Sequence, residues 1–345
     1  MIALLLAAGA VLGAASKDEM IETRSVCIWD AAPHCAFTDL IRSGDRFLVA
    51  FREAPSHVPA KEGEDGVVRV IASSDGTAWE SLAVIAAAGV DLRDPKLSIA
   101  PDGRLMVVMG GSVYEGGTLA ARAPQVAFSD ATGTAFEAPR AARIDPRVAG
   151  PRDWLWRVTW HGERAWGVVY QPASEEWGLQ LVTSADGLAW EHVATFAVAG
   201  RPNETTIRFL PGETAVAVVR REGGDRAGYV GRAAPPYRDW AWRSIGLRLG
   251  GPDLALLPDG ALVLGTRDYR PDGTYATILG RLDLAGTFTP GVRLPSGGDT
   301  SYPGLLVHGA ELWVSYYSSH AGKTAIYLAR VPLELLSAET GGDGR

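Results

Sequence analysis

Arginines, acids and tyrosines recur in this chain at the points where apolar segments begin or end. The segment starts carry Thr38, Asp39, Arg93, Asp94, Arg157, Asn203, Glu204, Asp253, Ser301 and Tyr302. The segment ends carry Arg52, Glu53, Tyr114, Tyr170, Arg220, Arg221, Arg267, Asp268, Tyr316 and Tyr317. A guanidinium fork matches a carboxylate in two parallel hydrogen bonds, so an excess of arginine around one cavity predicts an anionic ligand. Each residue taken singly could instead be half of an ion pair inside a wet channel.

Six repeats place these residues along the chain. Each repeat is an apolar segment, a turn with glycine and a second apolar segment, and successive turns are roughly 50 to 60 residues apart, as in four-stranded propeller blades. The repeats span residues 36–52, 95–110, 157–170, 205–221, 254–267 and 303–317. The last repeat has a third strand at 323–331 and little chain after it, so residues 22–29 are expected to supply its fourth strand. We therefore predict an all-β fold, a six-bladed β-propeller with four-stranded antiparallel blades, closed by the N-terminal strand.

This topology sorts the polar residues by face. The first strand of every blade begins at the face where the second strand ends, so the starts and ends described above meet around one mouth. Side chains at the ends of elements on a rigid scaffold commonly carry function. The chemistry is therefore expected at this mouth.

A second repeated motif is a turn that ends in an aromatic residue. It reads SSDGTAW at 73–79, SADGLAW at 184–190 and, more loosely, SDATGTAF at 129–136, each followed by glutamate. The aspartate can accept hydrogen bonds from nearby backbone N–H groups, and glycine tolerates the positive φ of a tight hairpin. The motif resembles the Asp-box (S-x-D-x-G-x-x-W) of sialidase-type β-propellers, and the architectural resemblance covers residues 38–331.

The resemblance to sialidases implies roles for individual residues. In that family a glutamate activates a tyrosine nucleophile and three arginines hold the carboxylate of the sugar, an exception to hydrolysis by two carboxylates. NETTIRFLPGETAVAVVR at 203–220 resembles the glutamate strand, which implies Glu204 as base and Arg220 as a clamp. SYPGLLVHGAELWVSYYS at 301–318 resembles the nucleophile strand and implies Tyr302. Arg267 is expected to be a second clamp.

Blade one departs from the family pattern. Where the family's first clamp arginine opens the strand as R-I-P, this chain has AFTDLI with Thr38 and Asp39. One third of the carboxylate clamp is therefore missing, although neighbouring blades could regroup positive charge. The further residues expected to bind substrate are Arg93, Arg157, Arg52, Asp39, Arg221 and Tyr317.

The acid/base residue of the family lies in the loop after the second strand of blade one. Here that loop reads REAPSHVPAKEGEDG at 52–66, and we favour Asp65, followed by His57, with Asp94 as a further candidate. A group in this role must hold a proton near neutral pH, which needs burial or a charged neighbour.

The leading hypothesis is a sialidase-like glycoside hydrolase acting on a glycan with an anionic sugar of the sialic- or uronic-acid type. One alternative is a hydrolase or lyase for a different acidic glycan, in which Asp39, Arg93 and Arg157 matter more than Tyr302. Another alternative is a propeller that binds glycans without catalysis. The step from propeller to glycosidase depends partly on analogy, because a fold does not fix a function.

The composition indicates which classes of binding partner are not expected. The net charge of −7 over 345 residues gives no basic surface for nucleic acid or anionic lipid. The six histidines show no metal-ligand spacing, so neither a metal nor a cofactor is expected. A monomer that binds carbohydrate is the prediction.

Residues 1–16 form an apolar run that ends in small residues. The run is too short to span a bilayer and is interpreted as a signal peptide, so the protein is expected to be exported with no membrane-spanning segment in the mature chain. A start codon assigned too far upstream is the alternative. Residues 17–338 are expected to be a single propeller and 339–345 a disordered tail. Cys27 and Cys35 could form one disulfide or remain two thiols.

Overall fold

The computed structural model describes residues 21–59, 61, 63–172 and 177–336. The segments interpreted as signal peptide (1–16) and tail (339–345) lie outside the described residues. The described chain begins with β1 (Ile21–Glu22) and β2 (Ser25–Trp29) and then forms six blades in sequence order.

The strands of the first three blades are as follows. Blade one contains β3 (His34–Ser43), β4 (Arg46–Ala54), β5 (Val67–Ser73) and β6 (Glu80–Ile85). Blade two contains β7 (Asp91–Ile99), β8 (Leu105–Glu115), β9 (Thr118–Phe128) and β10 (Arg140–Ala141). Blade three is preceded by β11 (Arg143–Ile144) and contains β12 (Trp154–His161), β13 (Arg164–Gln171), β14 (Gly178–Ser184) and β15 (Ala189–Thr195).

The other three blades complete the ring. Blade four contains β16 (Pro202–Phe209), β17 (Ala215–Arg221), β18 (Ala227–Ala233) and β19 (Ala241–Arg248). Blade five contains β20 (Asp253–Leu256), β21 (Leu262–Tyr269), β22 (Tyr275–Leu282) and β23 (Phe288–Leu294). Blade six contains β24 (Thr300–His308), β25 (Glu311–Ser318) and β26 (Ala325–Pro332), followed by a short 3₁₀ helix (Leu333–Leu336).

The N-terminal strand closes the ring as the sequence predicts. β2 pairs antiparallel with β26 and so becomes the fourth strand of blade six. The short strands β1 and β11 add parallel edges to blades five and three, which the repeat pattern did not predict. The expected six-bladed, four-stranded, antiparallel propeller is therefore confirmed.

The middle strands explain why the repeats look continuously apolar. In β17, Val216 to Val219 are all fully buried, because the neighbouring blades cover both faces of each sheet. Sheets packed face to face bury side chains from both surfaces, so the polar alternation of a one-sided sheet is lost. The core consequently lies between blades and leaves the inner strands free to line the central channel.

The aromatic turns join the third and fourth strands of blades one, two and three. In the first of them Asp75 Oδ1 accepts hydrogen bonds from the N–H groups of Thr77 at 2.7 Å and Ala78 at 3.1 Å, and Gly76 has a φ of 70°. Asp186 repeats this geometry in blade three. A Cβ on Gly76 would overlap the Trp313 ring of blade six, so this turn seals one blade against the next.

A β-bulge interrupts the first strand of several blades at the mouth. The register shifts between Ala36 and Asp39, between Arg93 and Lys96, and between Ser301 and Gly304. A bulge bends a strand and redirects its side chains. It is this irregularity, repeated around the ring, that positions the site described next.

Candidate active site

Three residues at equivalent bulges share an uncommon backbone conformation. Phe37, Asp94 and Tyr302 have φ values of 62°, 49° and 53°, in the left-handed region that non-glycine residues seldom adopt. They belong to blades one, two and six, which are neighbours in the ring. Such strain persists where the surrounding structure holds it in place, often at functional sites. The three side chains therefore line one side of the mouth.

Tyr302 meets two of the predicted residues from blade four. Its hydroxyl donates to Glu204 Oε1 at 2.6 Å. Arg220 Nη1 lies 2.7 Å from the same carboxylate oxygen and 3.0 Å from the Tyr302 hydroxyl. Glu204 Oε2 accepts the N–H of Gly251 at 2.8 Å. Residues separated by 98 positions in the sequence thus form one compact hydrogen-bonded group.

The electrostatics assign different protonation states to this pair. Burial raises the pKa of Glu204, but the Arg220 charge and the hydrogen bonds from Arg220, Tyr302 and Gly251 outweigh it, and the pKa lies below its ordinary value. Burial and the Glu204 charge raise the pKa of Tyr302 well above its ordinary value. At neutral pH the carboxylate is therefore ionised and the phenol carries its proton, which is the arrangement of a general base beside a neutral nucleophile.

Phe37 packs beside Tyr302 on this side of the mouth, and the sequence did not single it out. Its ring centroid is 5.1 Å from that of Tyr302, 5.3 Å from that of Tyr317 and 5.2 Å from that of His57, all edge to face. The side chain is 3 % exposed. The first strand of blade one therefore contributes an apolar ring to the mouth, where its neighbours contribute Asp94 and Tyr302.

Asp94 is a buried carboxyl group whose Oδ1 has no hydrogen-bond partner. Burial raises its pKa, opposed by Arg93 and reinforced by Glu204. Its charge in turn raises the pKa of Tyr302, Tyr317 and Tyr170, so the Asp94 carboxyl group lies within electrostatic range of all three phenols. A buried polar atom without a partner in the protein is a candidate contact for a ligand.

Asp299 gathers a second polar group on the blade-six side. Its Oδ1 accepts the Tyr317 hydroxyl at 2.9 Å and lies 3.7 Å from Arg267 Nη2. Its Oδ2 lies 2.8 Å from His57 Nδ1 and 3.3 Å from His34 Nε2. Burial opposes ionisation, but the hydrogen bonds from His34, His57 and Tyr317 hold the pKa of Asp299 far below its ordinary value. The His57 side chain is 50 % exposed and so lies at the rim.

The same three groups satisfy the distances of a metal site. One ligand atom each from His34, His57 and Asp299 lies within 4.8 Å of the others, and no other such group of three occurs among the described residues. Hydrogen bonds from both imidazoles to one carboxylate oxygen account for this geometry without a metal ion.

Arg267 and Arg93 both have partners within the protein. Arg267 donates to the carbonyl of Thr300 at 2.8 Å and to the Tyr317 hydroxyl at 3.0 Å, with its guanidinium 5.6 Å from the Tyr302 ring centroid. Arg93 lies 3.6 Å from Asp91 and over the Phe37 ring. Both side chains border the mouth.

Two of the predicted substrate-binding residues, Arg52 and Arg221, make contacts away from Tyr302. Arg52 is fully buried and donates to Asp91 and to the carbonyl of Ser56. Arg221 donates to the carbonyls of Ala199 and Ala227 and to Asp225, which fixes the loop after β17. These arginines hold loops around the mouth in place.

Asp39 and Arg157 lie deeper, within the channel. Arg157 Nη1 donates to Asp39 Oδ1 at 2.7 Å, and its Nη2 lies 3.5 Å from Asp253 Oδ2. Both side chains of the Arg157–Asp39 pair are at most 3 % exposed. They line a cavity of about 330 Å³ that also includes Arg208 and Trp160, on the far side of the bulges from Tyr302.

The remaining candidate, Asp65, lies half-buried in the loop between β4 and β5. Sequence reasoning missed Phe37, Asp299 and His34. A usable signal existed for Phe37, because it precedes the turn glycine Gly44 by the same number of residues as Tyr302 precedes Gly309, although Asp94 lies two residues farther from its own turn glycine. No local pattern marks Asp299, which precedes β24 in a loop. The two cysteines are free thiols, Cys27 exposed and Cys35 buried.

Together these features define a β-propeller with a polar and aromatic site at one end of its channel. No family model and no curated protein matches the sequence. Solved structures do match the fold. A Dyadobacter fermentans protein of unknown function is 20 % identical, with a TM-score of 0.76 over 89 % of this chain and 97 % of that one.

The matching structures include glycosidases. Trypanosoma rangeli sialidase in complex with the inhibitor DANA is 10 % identical with a TM-score of 0.67, and this chain spans only 57 % of it. A mutant of an α-L-arabinofuranosidase from Fusarium graminearum, bound to an iminosugar inhibitor, is 17 % identical with a TM-score of 0.68 over 98 % of its length. At these identities the likeness establishes the fold alone. Within the part of the chain that the structure describes, no helix is long and apolar enough to cross a membrane.

Proposed function

We propose that this propeller is a glycoside hydrolase that uses Tyr302 as nucleophile and Glu204 as its base. The observation that carries the proposal is the hydrogen bond of 2.6 Å from the Tyr302 hydroxyl to an ionised, buried Glu204, with Arg220 bound to both. A phenol with a raised pKa becomes nucleophilic only when a base takes its proton as it attacks. Propeller glycosidases among the structural matches support the same reaction class.

Of the acid/base candidates, we assign the proton transfer to His57. It lies in the loop where the resemblance to sialidases expects this residue, and the carboxylate of Asp299 holds its Nδ1. His57 donates its Nδ1–H to Asp299, as does a catalytic histidine that is oriented by a carboxylate. Its Nε2 is then the atom that exchanges a proton with the leaving group. A half-exposed position at the rim suits contact with a leaving group, whereas Asp94 lies deeper. Asp65 stays the alternative within the same loop.

The reaction proceeds in two displacements. Tyr302 Oη bonds to the anomeric carbon while Glu204 takes its proton, the glycosidic bond breaks and the leaving oxygen takes a proton from His57. Water then attacks the glycosyl-tyrosine, giving a proton to neutral His57, while Glu204 returns its proton to the released phenolate. Two inversions retain the anomeric configuration.

The test is hydrolysis of a panel of chromogenic glycosides by wild type and by Glu204→Gln. We expect turnover of at least one glycoside by the wild type and a loss of roughly a hundred-fold or more in Glu204→Gln, the range of a lost general base. An Asp239→Asn variant, at an exposed site between β18 and β19, is the matched control. Saturable glycoside binding without turnover, unchanged in Glu204→Gln, would instead establish a glycan-binding propeller.

The expectations of export and of a monomer stay predictions. Fractionation of cells that express the full chain, and the mass of the purified protein in solution, would test them.

A further inference from the structure

We propose that the sugar held against Tyr302 is uncharged, and that Asp94 recognises it through a hydroxyl group. The inference rests on the proposed function for the position of the sugar, but it concerns binding and not turnover. An uncharged sugar differs from the anionic sugar that the excess of arginine in the sequence predicts.

The residue at the blade-one bulge is apolar, which favours an uncharged sugar. Phe37 occupies the position between Asp94 and Tyr302 and contacts the rings of Tyr302, Tyr317 and His57. An arginine here could have formed a bidentate pair with a carboxylate, whereas a phenyl ring offers no donor. The ring is 3 % exposed, so it closes the blade-one side of the site with an apolar group and not with a donor. Arg93 covers part of this ring at 5.4 Å, so even its charge is directed towards Phe37.

The arginines that border Tyr302 already have carboxylate partners. Arg220 uses its guanidinium on Glu204, Glu222 and the Tyr302 hydroxyl. Arg248 shares Glu222, Arg267 faces Asp299, and Asp91 serves both Arg93 and Arg52. Five arginines therefore face five carboxylates once Asp94 is included, and Lys96, buried against the Tyr302 ring, and Arg122, over the Trp154 ring, are positive charges outside these pairs. A ligand carboxylate would have to displace one of these pairs or share the cavity with like charges, which is costly in a desolvated site.

The unpartnered oxygen of Asp94 favours a ligand that donates a hydrogen bond. A buried carboxylate oxygen without a donor is destabilising until a ligand supplies one. A sugar hydroxyl is such a donor, and its hydrogen bond to a carboxylate is of the strong, charge-assisted kind. A second carboxylate on the ligand could not take this place without a shared proton. Asp94 is thus positioned to hold a neutral glycon while Tyr302 faces its anomeric carbon.

The experiment compares glycosides that differ in charge. Binding of neutral p-nitrophenyl glycosides (arabinofuranosides, fucosides, galactosides and glucosides), of the glucuronide and galacturonide, and of the α-sialoside is measured calorimetrically with Tyr302→Phe. Turnover of the same panel is measured with the wild type. We expect at least one neutral glycoside to bind ten-fold or more tightly than every carboxylated one. Tighter binding of a carboxylated glycoside, or no binding of any neutral one, overturns the inference.

Substitutions of Asp94 and Phe37 test whether these residues cause the preference for uncharged glycosides. Asp94→Asn should weaken binding of the preferred neutral glycoside about ten-fold, with Asp239→Asn as control. Phe37→Arg should move the preference towards carboxylated glycosides, while Phe37→Leu, which adds no charge, should not. If neutral glycosides bind with this dependence on Asp94 but none is hydrolysed, the proposed function fails and the inference stands. If carboxylated glycosides are hydrolysed best, the inference fails and the proposed function stands.

Discussion

The mouth and the channel of this propeller are built from the same residue types and differ in how completely their carboxylate oxygens are paired. In the channel, Asp39 accepts Arg157 and the backbone N–H of Leu97, and Asp253 accepts Arg208 and the N–H of Leu305. At the mouth, one oxygen of Asp94 has no partner and His57 is half-exposed. The difference teaches that a charged residue at a strand end need not indicate chemistry, because the channel carboxylates are fully used in contacts between blades, even though Arg157 Nε and Nη2 have no hydrogen-bond partner.

The channel group also has a mechanical role. Asp39 connects blade one to the backbone of blade two and to Arg157 of blade three, and Asp253 connects blade five to blades three, four and six. Since these contacts run across blades, they hold the ring together where the hydrogen bonds of each sheet cannot. We therefore expect the mouth and the channel to respond differently to mutation, in activity and in stability respectively.

The largest expected effect is on activity at the mouth. Tyr302→Phe removes the attacking oxygen and should lower kcat/KM for the preferred glycoside by roughly a thousand-fold or more, because catalytic groups that act as a unit show losses of that order. The melting temperature should remain close to that of the wild type. Tyr327→Phe, on the third strand of blade six, is the control. Undiminished turnover by Tyr302→Phe would contradict the assignment.

The next effect is on stability in the channel. Asp253→Asn leaves Arg157 and Arg208 without their shared carboxylate, and removing one partner of a buried ion pair typically costs about 3–5 kcal/mol of unfolding free energy. Urea unfolding followed by tryptophan fluorescence measures this loss. The activity of the protein that remains folded should be nearly normal. A variant as stable as the wild type but inactive would mean that the channel belongs to the site.

A smaller effect at the mouth separates His57 from the nucleophile. His57→Ala should slow hydrolysis of an alkyl glycoside about a hundred-fold, the usual contribution of a general acid. A p-nitrophenyl glycoside should be affected much less in its first displacement, because that leaving group departs without a proton. His192→Ala, on the fourth strand of blade three, is the control. Equal losses on both substrates would favour a structural role for His57.

The pH dependence should follow Glu204. A base acts only when ionised, and the pKa of Glu204 lies below its ordinary value because Arg220 favours the charged form. Activity should therefore persist as pH falls through the ordinary glutamate range near about 4.3 and decline only below it. Arg220→Met removes that stabilisation, so the acid limb of kcat/KM should move to higher pH. An unmoved limb would show that another group controls it.

The smallest expected effect is in the aromatic turns. Asp186→Ala removes the acceptor for the N–H groups of Leu188 and Ala189 and should cost about 1 kcal/mol, the usual worth of such hydrogen bonds. Thermal unfolding measures this cost, with Glu191→Ala as an exposed neighbour for comparison. A loss as large as that of Asp253→Asn would place the turns on a par with the channel.

Much of the fold could be predicted because it depends on a local signal repeated many times. Each blade needs apolar strands of similar length and turns with glycine, so the six repeats report six independent observations of one architecture. The closing strand was predictable by elimination, since the sixth repeat lacked a fourth strand, but it spans Ser25–Trp29 and not 22–29, because Glu22 pairs with blade five. The parallel edges β1 and β11 were not, because two-residue pairings leave no pattern in the sequence.

The candidate site was predictable in part. The sequence by itself determined that Glu204, Arg220 and Tyr302 stand at strand ends facing one mouth, because the position of a residue in its repeat fixes its face. Only the tertiary structure decided which charges remain available. Arg157 is paired with Asp39 inside the channel, Asp299 accepts hydrogen bonds from two histidines and a tyrosine of distant segments, and Phe37 packs against Tyr302. The physical reason is that repeats determine direction along each blade, whereas pairing between blades depends on distances of a few ångströms across the ring.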